Sequence, residues 1–382
     1  MNIRTIRRDF PALKNLTFLD QAYVGLFPTF VREGHIEFLD EWMSFSLGES
    51  KTILTKWLDK TEKTRAMTAE FLGASSDEIA FTQCTGCGLN IPVNGMTWRK
   101  GDNVVFPDWE HNPLVTSTLK RKGIETRIVK SVNGRVELSD LEKAIDDNTK
   151  LVQVSQVECL NGFRLDLKSV SDMAHEHGAM LLVDATQALG ALKTDVKKEQ
   201  VDFLSAATYK WLMGPAGLGF LYVKSEHIEE MLPDRTGWKN KIWKMRSYEL
   251  PGSARRFEYG TLNFEGIYAF HNSLIYLNKI GIINIERRNL KLSSYLWSRL
   301  NNLGVRLFTP EGNKSAIVSF FIKDAQKIRE KLTENRIKVS AMNWDGELLR
   351  VSPHFYNTKE DIDFFIDKLK EIIGNRPEHY LK

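Results

Sequence analysis

The stretch Ala207-Thr-Tyr-Lys-Trp-Leu-Met-Gly-Pro-Ala-Gly217 places Lys210 between an apolar strand pattern at 201–204 and a turn rich in glycine and proline. Lysines are normally solvated surface residues, and this setting is unusual for one. Twenty-six positions upstream, Asp184 ends the apolar run in Leu181-Leu-Val-Asp-Ala-Thr-Gln187. An amine this far downstream of a strand-end carboxylate indicates a ligand that is held at both ends.

Pyridoxal 5′-phosphate (PLP) is a cofactor that needs such a pair of groups. Its aldehyde forms a Schiff base with an amine, and its ring nitrogen stays protonated beside an anion, so that the ring stabilises a carbanion at a substrate α-carbon. Burial beside a cationic ring would lower the pKa of Lys210 toward neutrality and make the amine a nucleophile and proton carrier. Asp184 taken alone is also a residue type favoured as a helix N-cap.

Short apolar runs alternate with helical patterns from about residue 79 to 224. This alternation predicts an α/β fold, with a mostly parallel sheet flanked by helices and a ligand site at the carboxyl ends of the strands. Helices are predicted at 139–147, with a capping box of Ser139 and Glu142, and at 167–177. The predicted strands are 79–82, 103–106, 151–154, 179–183, 201–204 and 219–223.

After about residue 250 the pattern changes to that of a smaller α+β domain. The segment before about residue 75 is mostly helical, with an extended piece at Leu16–Asp20. We predict a large PLP-binding domain at 16–255 and a small domain formed by 1–15 and 256–382. The elements predicted after residue 250 are a helical stretch over 263–302 broken near Gly281, a strand over 316–322, a helix over 324–334, strands near 337–341 and 347–352, and a helix over 358–373.

The composition argues against several classes of protein. The 382 residues include 53 basic and 49 acidic side chains, and the net charge of +4 is too mild to indicate a nucleic-acid partner. No apolar run approaches the roughly 18 residues of a membrane span, and no apolar region of a secretory signal follows the N-terminus. Cys84, Cys87 and Cys159 make no disulfide framework, and the lone Cys-x-x-Cys pair lacks the further ligands of a zinc site. We expect a cytoplasmic protein that binds no metal, membrane or nucleic acid.

Three further segments carry residues suited to a flat anionic cofactor and an amino acid. Thr82-Gln-Cys-Thr-Gly-Cys-Gly-Leu-Asn90 follows a strand and opens a helix, so Thr85 and Gly86 could contact a phosphate, although a tight strand–helix turn has the same composition. His111 could stack on a ring or be a structural histidine. Arg350 could grip a carboxylate with two parallel hydrogen bonds or form a surface ion pair.

Together these residues resemble the class V aminotransferase / cysteine desulfurase superfamily, the fold-type-I PLP enzymes, over nearly the whole chain. The matching motifs begin at Thr17-Phe-Leu-Asp-Gln-Ala-Tyr-Val-Gly25 and end at Arg350 with Tyr356-Asn357. Three segments are most similar to the isopenicillin N epimerase-like branch, namely Gly162–Leu167, Gly237-Trp238 and Arg255–Thr261.

The resemblance implies a role for each candidate residue. Lys210 would carry the cofactor and move the α-proton, and Asp184 would pair with the ring nitrogen. Arg350 would bind the substrate α-carboxylate, and Tyr23 would narrow the substrate pocket. The other cofactor contacts would be Gln187 at the ring hydroxyl, His111 on the ring face, Thr85, Gly86 and Thr208 at the phosphate, and Gly260 and Thr261 from the second subunit of a homodimer.

Departures from the family pattern bear on the reaction. The desulfurases carry a nucleophilic cysteine in their C-terminal part, whereas no cysteine follows Cys159 here. Cys159 itself stands where those enzymes have an asparagine, and Cys87 stands where a glutamate is common. The predicted function is therefore a class V aminotransferase acting at the α-carbon of an amino acid. A carbon–sulfur lyase without the catalytic cysteine, an amino-acid epimerase and a non-catalytic PLP-binding protein are the alternatives.

Overall fold

The structure is a computed structural model that describes residues 1–45, 50–237, 242–244 and 247–374. Its strands are β1 Thr17–Phe18, β2 Ile79–Thr82, β3 Asn103–Pro107, β4 Glu125–Val129, β5 Thr149–Ser155, β6 Met180–Asp184, β7 Phe203–Ala207, β8 Gly219–Val223, β9 Ile242–Lys244, β10 Ser247–Glu249, β11 Arg306–Leu307, β12 Val318–Phe321, β13 Ile337–Lys338, β14 Ser340–Asn343 and β15 Glu347–Val351. Its α-helices are α1 Ile3–Arg8, α2 Thr29–Ser44, α3 Ser50–Leu72, α4 Thr85–Gly95, α5 Asn112–Leu119, α6 Leu138–Ala144, α7 Leu167–Glu176, α8 Ser225–Ile228, α9 Phe264–Ile280, α10 Ile282–Leu303, α11 Ala325–Glu334 and α12 Lys359–Ile373.

The large sheet has seven strands in the order β2-β8-β7-β6-β5-β3-β4. Strand β8 is antiparallel to both of its neighbours, and every other adjacent pair in this sheet is parallel. The mostly parallel α/β sheet predicted from the alternation of apolar runs is thus confirmed. The edge strand β4 was not predicted, because three of its five side chains are polar and only Val129 is buried, so it gives no apolar run.

The C-terminal part forms a second, smaller layer of structure around an antiparallel sheet in the order β11-β12-β15-β14. Helices α10, α11 and α12 bury Leu296, Leu332 and Phe365 against this sheet in a separate apolar core. The N-terminal segment joins it, because β1 pairs in parallel with β13 and Asp20 bridges to Ser352. The domain boundary at 255–256 stays a prediction.

Two helix boundaries predicted from local sequence motifs can be compared with the structure. The capping box predicted at Ser139 and Glu142 is wrong, because α6 begins one residue earlier, at Leu138, with Glu137 as its N-cap. The break predicted near Gly281 is confirmed: this residue has φ +85°, a conformation that favours glycine, and it separates α9 from α10. Within the described ranges, no helix has both the length and the apolar character that crossing a bilayer requires.

Candidate functional site

The candidate site lies where three parallel strands end. Ser155 at the end of β5 pairs in register with Asp184 at the end of β6, and Asp184 pairs with Ser205 of β7. A cavity of about 200 Å³ opens at this edge of the sheet. It brings together six residues singled out from the sequence, namely Thr85, Gly86, His111, Asp184, Gln187 and Lys210.

Lys210 places its amine at the cavity, where the amine has neither a hydrogen-bond partner nor a counter-ion among the described residues. No hydrogen bond or ion pair engages its Nζ atom in the part of the chain that the structure describes. Burial lowers the pKa of Lys210, and the charge of Arg350 lowers it further, against opposing effects from Cys159, Asp184 and Asp20. A larger share of the amine is therefore neutral, and thus nucleophilic, than in a solvated lysine.

The backbone at Lys210 is fixed by the N-terminal segment. Gln21 donates its side-chain amide to the Lys210 carbonyl at 2.8 Å and accepts a hydrogen bond from the Tyr356 hydroxyl at 2.6 Å. The Gly25 N–H donates to the Tyr209 carbonyl at 3.0 Å. The segment 208–218, which joins β7 to β8 and is called the lysine loop below, is thereby tied to both ends of the chain.

Asp184 supplies a buried carboxylate on the same cavity. It is 6% exposed, and its Oδ1 accepts the Thr186 N–H at 2.9 Å. Its Oδ2 has no partner within the described residues and can accept a proton donor on a ligand. Next to it Glu110 is held by the Ser155 N–H at 2.7 Å and by the Ser155 hydroxyl at 2.5 Å. Burial raises the pKa of Glu110 to about 7, and the charge of Asp184 acts in the same direction.

The opposite end of the cavity is the N-terminus of α4. Its first-turn N–H groups and the positive end of the helix dipole favour an anion, such as a phosphate. The Thr85 and Thr186 hydroxyls lie 2.8 Å apart, and Asn90 donates to the Gly86 carbonyl at 2.7 Å. A Cβ atom at Gly88 would lie 2.2 Å from the Ser205 Oγ, so glycine is needed there for α4 to pack this closely on β7.

His111 and Gln187 line the same cavity. His111 is exposed and has backbone dihedrals of an N-cap for α5, and burial on its inner side lowers the pKa of its imidazole. Gln187 donates to the Ala22 carbonyl at 3.0 Å and accepts from the Trp211 indole at 2.8 Å. These bonds orient the glutamine and leave one of its amide hydrogens for a ligand.

Arg350 lies beside the cavity, behind Cys159. It is 3% exposed and donates to the Cys159 carbonyl at 2.6 Å and, at 3.5 Å, to the Ser340 hydroxyl. Its Nε is buried without an acceptor among the described residues. Burial lowers the pKa of this arginine, with Cys159 and Asp20 opposing the shift. A buried guanidinium with spare donors is suited to bind a carboxylate.

Besides Arg350, four predicted residues lie outside this cavity. Thr208 is buried and donates to the Pro215 carbonyl at 2.6 Å, a hydrogen bond within the lysine loop. Gly260 and Thr261 line a neighbouring cavity of about 180 Å³, and Tyr23 is 61% exposed. Their proposed contacts stay predictions. Trp238, part of the epimerase-like resemblance, lies outside the described residues.

Sequence reasoning gave no role to several residues that complete the site. Ser155 directly follows a predicted strand and Thr186 lies two residues after Asp184, so the rule that ligands bind at strand ends could have identified them. Glu110 directly precedes His111 in the sequence and gave no signal of its own. Gln21 gave no local signal, because its contact with Lys210 spans 189 residues of sequence.

The chemistry of this donor set fits PLP. Lys210, Asp184 and Thr85 bring to one cavity an amine and a carboxylate oxygen, neither of which has a hydrogen-bond partner among the described residues, and a helix N-terminus. These groups match the aldehyde, the ring nitrogen and the phosphate of that cofactor.

Comparison with known proteins gives the same assignment. A family model described as Aminotransferase class-V matches residues 17–365. A protein of Methanothermobacter thermautotrophicus named probable cysteine desulfurase is 31% identical, over 98% of this chain and 99% of its own length. The apo structure of a cysteine desulfurase from Thermococcus onnurineus NA1 superposes with a TM-score of 0.90 at 27% identity, covering 97% of this chain and 98% of that one. A mutant of C-DES with glycine covalently linked to its PLP cofactor has a TM-score of 0.87 at 24% identity, covering 95% and 98% of the two chains.

Proposed function

The chain belongs to the class-V aminotransferase family of PLP-dependent enzymes, and from this premise we propose that it cleaves the carbon–sulfur bond of a cysteine-type amino acid. The observation that carries the proposal is the similarity to a protein named probable cysteine desulfurase, which extends over 98% of this chain. PLP is the cofactor, as predicted from Lys210 and Asp184. Both of these residues and Arg350 lie within residues 17–365, which the family model matches.

The residues of the cavity have separate tasks in this reaction. Bound PLP supplies a protonated ring that stabilises negative charge at the substrate α-carbon. Asp184 would hold the proton on the ring nitrogen, and the α4 N-terminus with Thr85 and Gly86 would hold the phosphate. Lys210 would anchor the cofactor through its amine and would serve as the base for the substrate α-proton. Its lowered pKa suits it to that role as a base.

Arg350 determines where the substrate sits. Its buried guanidinium binds the α-carboxylate with two N–H groups, which places the α-carbon next to Lys210. Cys159 orients the arginine through its carbonyl oxygen, which accepts the Nη1 hydrogen bond.

The path of the sulfur follows from the cysteine positions. The sequence has no cysteine after Cys159, so it lacks the C-terminal nucleophile with which the desulfurases it resembles take up sulfur. The sulfur therefore leaves the β-carbon as a thiolate, which takes up a proton. With cysteine and one water molecule the products are pyruvate, ammonia and hydrogen sulfide.

Transamination is the second candidate, because the same absence of a C-terminal cysteine fits a reaction in which no sulfur is transferred. Epimerisation is the third, on the motifs Gly162–Leu167 and Arg255–Thr261 that are similar to the isopenicillin N epimerase-like branch. The free amine of Lys210 and the spare donors of Arg350 argue against a non-catalytic PLP-binding protein, since binding the cofactor alone requires no carboxylate site.

One assay separates these candidates. The purified holoenzyme is incubated with L-cysteine and with other amino acids, and sulfide, pyruvate, alanine, pyridoxamine phosphate and D-isomers are measured in parallel. We expect sulfide and pyruvate in equal amounts. Keto acid formation that depends on an amino acceptor, without sulfide, would identify a transaminase and contradict the proposal.

Lys210→Ala tests the role of the lysine in either reaction. The variant should lose the absorbance at roughly 410–430 nm of a cofactor joined to an amine, and its turnover should fall by at least about 10³-fold, since it lacks both nucleophile and base. Lys143→Ala, at an exposed lysine of α6, is the control that should keep both. Retention of the band in Lys210→Ala would show that another amine carries the cofactor.

We also propose that the enzyme is a cytoplasmic homodimer. Gly260 and Thr261 face a cavity whose other wall includes Cys87, at the same helix N-terminus that receives the phosphate. A second subunit placed against this cavity would bring its own residues to the cofactor. Light scattering that gives the mass of a single 43.9 kDa chain at micromolar concentration would contradict the dimer.

A further inference from the structure

Cys84 and Cys87 form a close pair on the first turn of α4 that the proposed reaction does not use. Cys84 is the N-cap residue of this eleven-residue helix, and Cys87 is its third residue. Their sulfur atoms lie 3.4 Å apart. A disulfide has an S–S length of about 2.05 Å, so the two sulfurs need to approach each other by only a little over about 1 Å to be joined.

The two thiols differ in accessibility and in charge. Cys84 is exposed, whereas Cys87 is half-buried. The hydrogen bond between the two thiols lowers the pKa of Cys84 to about 6, and the backbone N–H groups of Cys87 and Gly86 add to this effect, as does the charge of Arg235. The same contact raises the pKa of Cys87. This is the arrangement of an attacking thiolate followed by a protected resolving thiol.

A packing role or a metal-binding role explains the two cysteines less well than thiol–disulfide exchange does. An exposed thiol contributes little to a core, and neither sulfur belongs to an apolar cluster in the described part of the chain. The three-ligand group that the described residues do contain, Asp202, Glu226 and His227, includes neither cysteine. A pair of sulfurs without further ligands is not a zinc site.

We propose that Cys84 and Cys87 are a redox-active dithiol that is oxidised to an intramolecular disulfide by low-molecular-weight disulfides. The Cys84 thiolate attacks one sulfur of the disulfide, forms a mixed disulfide and expels one thiolate. Cys87 then loses its proton and attacks the Cys84 sulfur, which expels the second thiolate. One small disulfide is thereby reduced to two thiols, and the two protein thiols become one protein disulfide.

The location gives this exchange a consequence for the cofactor site. Cys84 lines the cavity that holds Lys210, and Cys87 lines the neighbouring cavity with Gly260 and Thr261. The two residues between the cysteines are Thr85 and Gly86, the predicted phosphate contacts. The disulfide closes a ring around these two residues, so the oxidation state of the pair is coupled to the shape of the anion site.

The test uses the purified holoenzyme, oxidised glutathione and mass spectrometry. At pH 7 the wild-type protein should lose the mass of two hydrogen atoms. The disulfide should lie within tryptic peptide 66–99, which contains Cys84 and Cys87 but not Cys159. Reaction of Cys84 with iodoacetamide should show a midpoint near pH 6, against about 8.5 for an ordinary thiol.

Two variants assign the roles of the thiols. Cys87→Ser should stop at the mixed disulfide and keep one glutathione on peptide 66–99, whereas Cys84→Ser should react at least about tenfold more slowly, because the thiolate is the attacking species. Cys159→Ser is the control and should form the 84–87 disulfide at the wild-type rate. No loss of mass in the wild-type protein, or stable glutathione adducts on both thiols, would overturn the proposal. Neither readout depends on catalytic turnover, so the proposed function can fail independently.

Discussion

Replacing Arg350 by lysine tests the assignment of the carboxylate site. The guanidinium donates to the Cys159 carbonyl at 2.6 Å, has only a 3.5 Å contact with Ser340 and buries an Nε without an acceptor among the described residues. An incoming α-carboxylate supplies two acceptors to the remaining N–H groups. Lysine keeps the positive charge at this position but not the planar fork, so the variant removes the second hydrogen bond and leaves the charge.

The magnitude follows from that one lost bond. A hydrogen bond to a charged group contributes about 1.5–3 kcal/mol, which corresponds to a roughly 10- to 150-fold weaker interaction at 25 °C. Because the α-carboxylate is held in both the ground state and the transition state, the loss should appear mainly in KM, with kcat little changed.

The assay titrates L-cysteine against wild-type enzyme and Arg350→Lys, with sulfide release for turnover and cofactor absorbance for binding. Cysteamine, which lacks the carboxylate, should react equally with both proteins. Arg306→Lys, at an exposed arginine of the same sheet, is the matched control. A change in KM for cysteine of less than about threefold, or an equal rise in KM for cysteine and for cysteamine, would contradict the assignment of Arg350 to the α-carboxylate.

Two further predictions concern stability. Glu258→Gln breaks a buried ion pair in which Arg65 binds both carboxylate oxygens, at 2.6 and 3.2 Å. The variant should lower the free energy of unfolding by about 3–5 kcal/mol, which is about 4–6 °C in Tm for a chain of this length. Calorimetry should show no measurable change in Tm for the control Asp140→Asn, at the exposed pair with Lys143, and equal Tm shifts in the two variants would contradict the prediction. Burial raises the pKa of Glu110 from 4.5 to about 7, and burial next to Glu110 also raises the pKa of Glu158. The unfolded state therefore loses these protons first, and stability falls as pH rises above about 4.5. Glu110→Gln should reduce the dependence of Tm on pH between about 4.5 and 7, and an unchanged slope would contradict this prediction.

The large sheet was predictable from the sequence because its central strands are buried on both faces. Such strands appear as continuous apolar runs, and the run that ends at Asp184 was predicted to within one residue at each end. The edge strand Glu125–Val129 has no such run and was missed. The cap of α6 was misplaced because Ser139 and Glu142 have the spacing of a capping box, while the helix starts at Leu138.

The site was predictable where each residue has a local signal, as Lys210 does in its strand–turn setting. Contacts across the fold gave no signal. Gln21 reaches the Lys210 carbonyl, and Arg350 reaches the Cys159 carbonyl, over 189 and 191 residues of sequence. A motif gives the residue type and the order along the chain, whereas the orientation of these side chains depends on tertiary packing.

The link from Gln21 to both Lys210 and Tyr356 has a consequence for biosynthesis. During translation the sheet that carries the lysine emerges from the ribosome more than a hundred residues before Tyr356. Until that tyrosine arrives, Gln21 lacks the hydroxyl that orients it, and the lysine loop lacks its fixed support. A nascent or C-terminally truncated chain would therefore hold the amine and the carboxylate on a formed sheet but in an unfinished pocket. The cofactor should accordingly bind after synthesis of the chain is complete and not during translation.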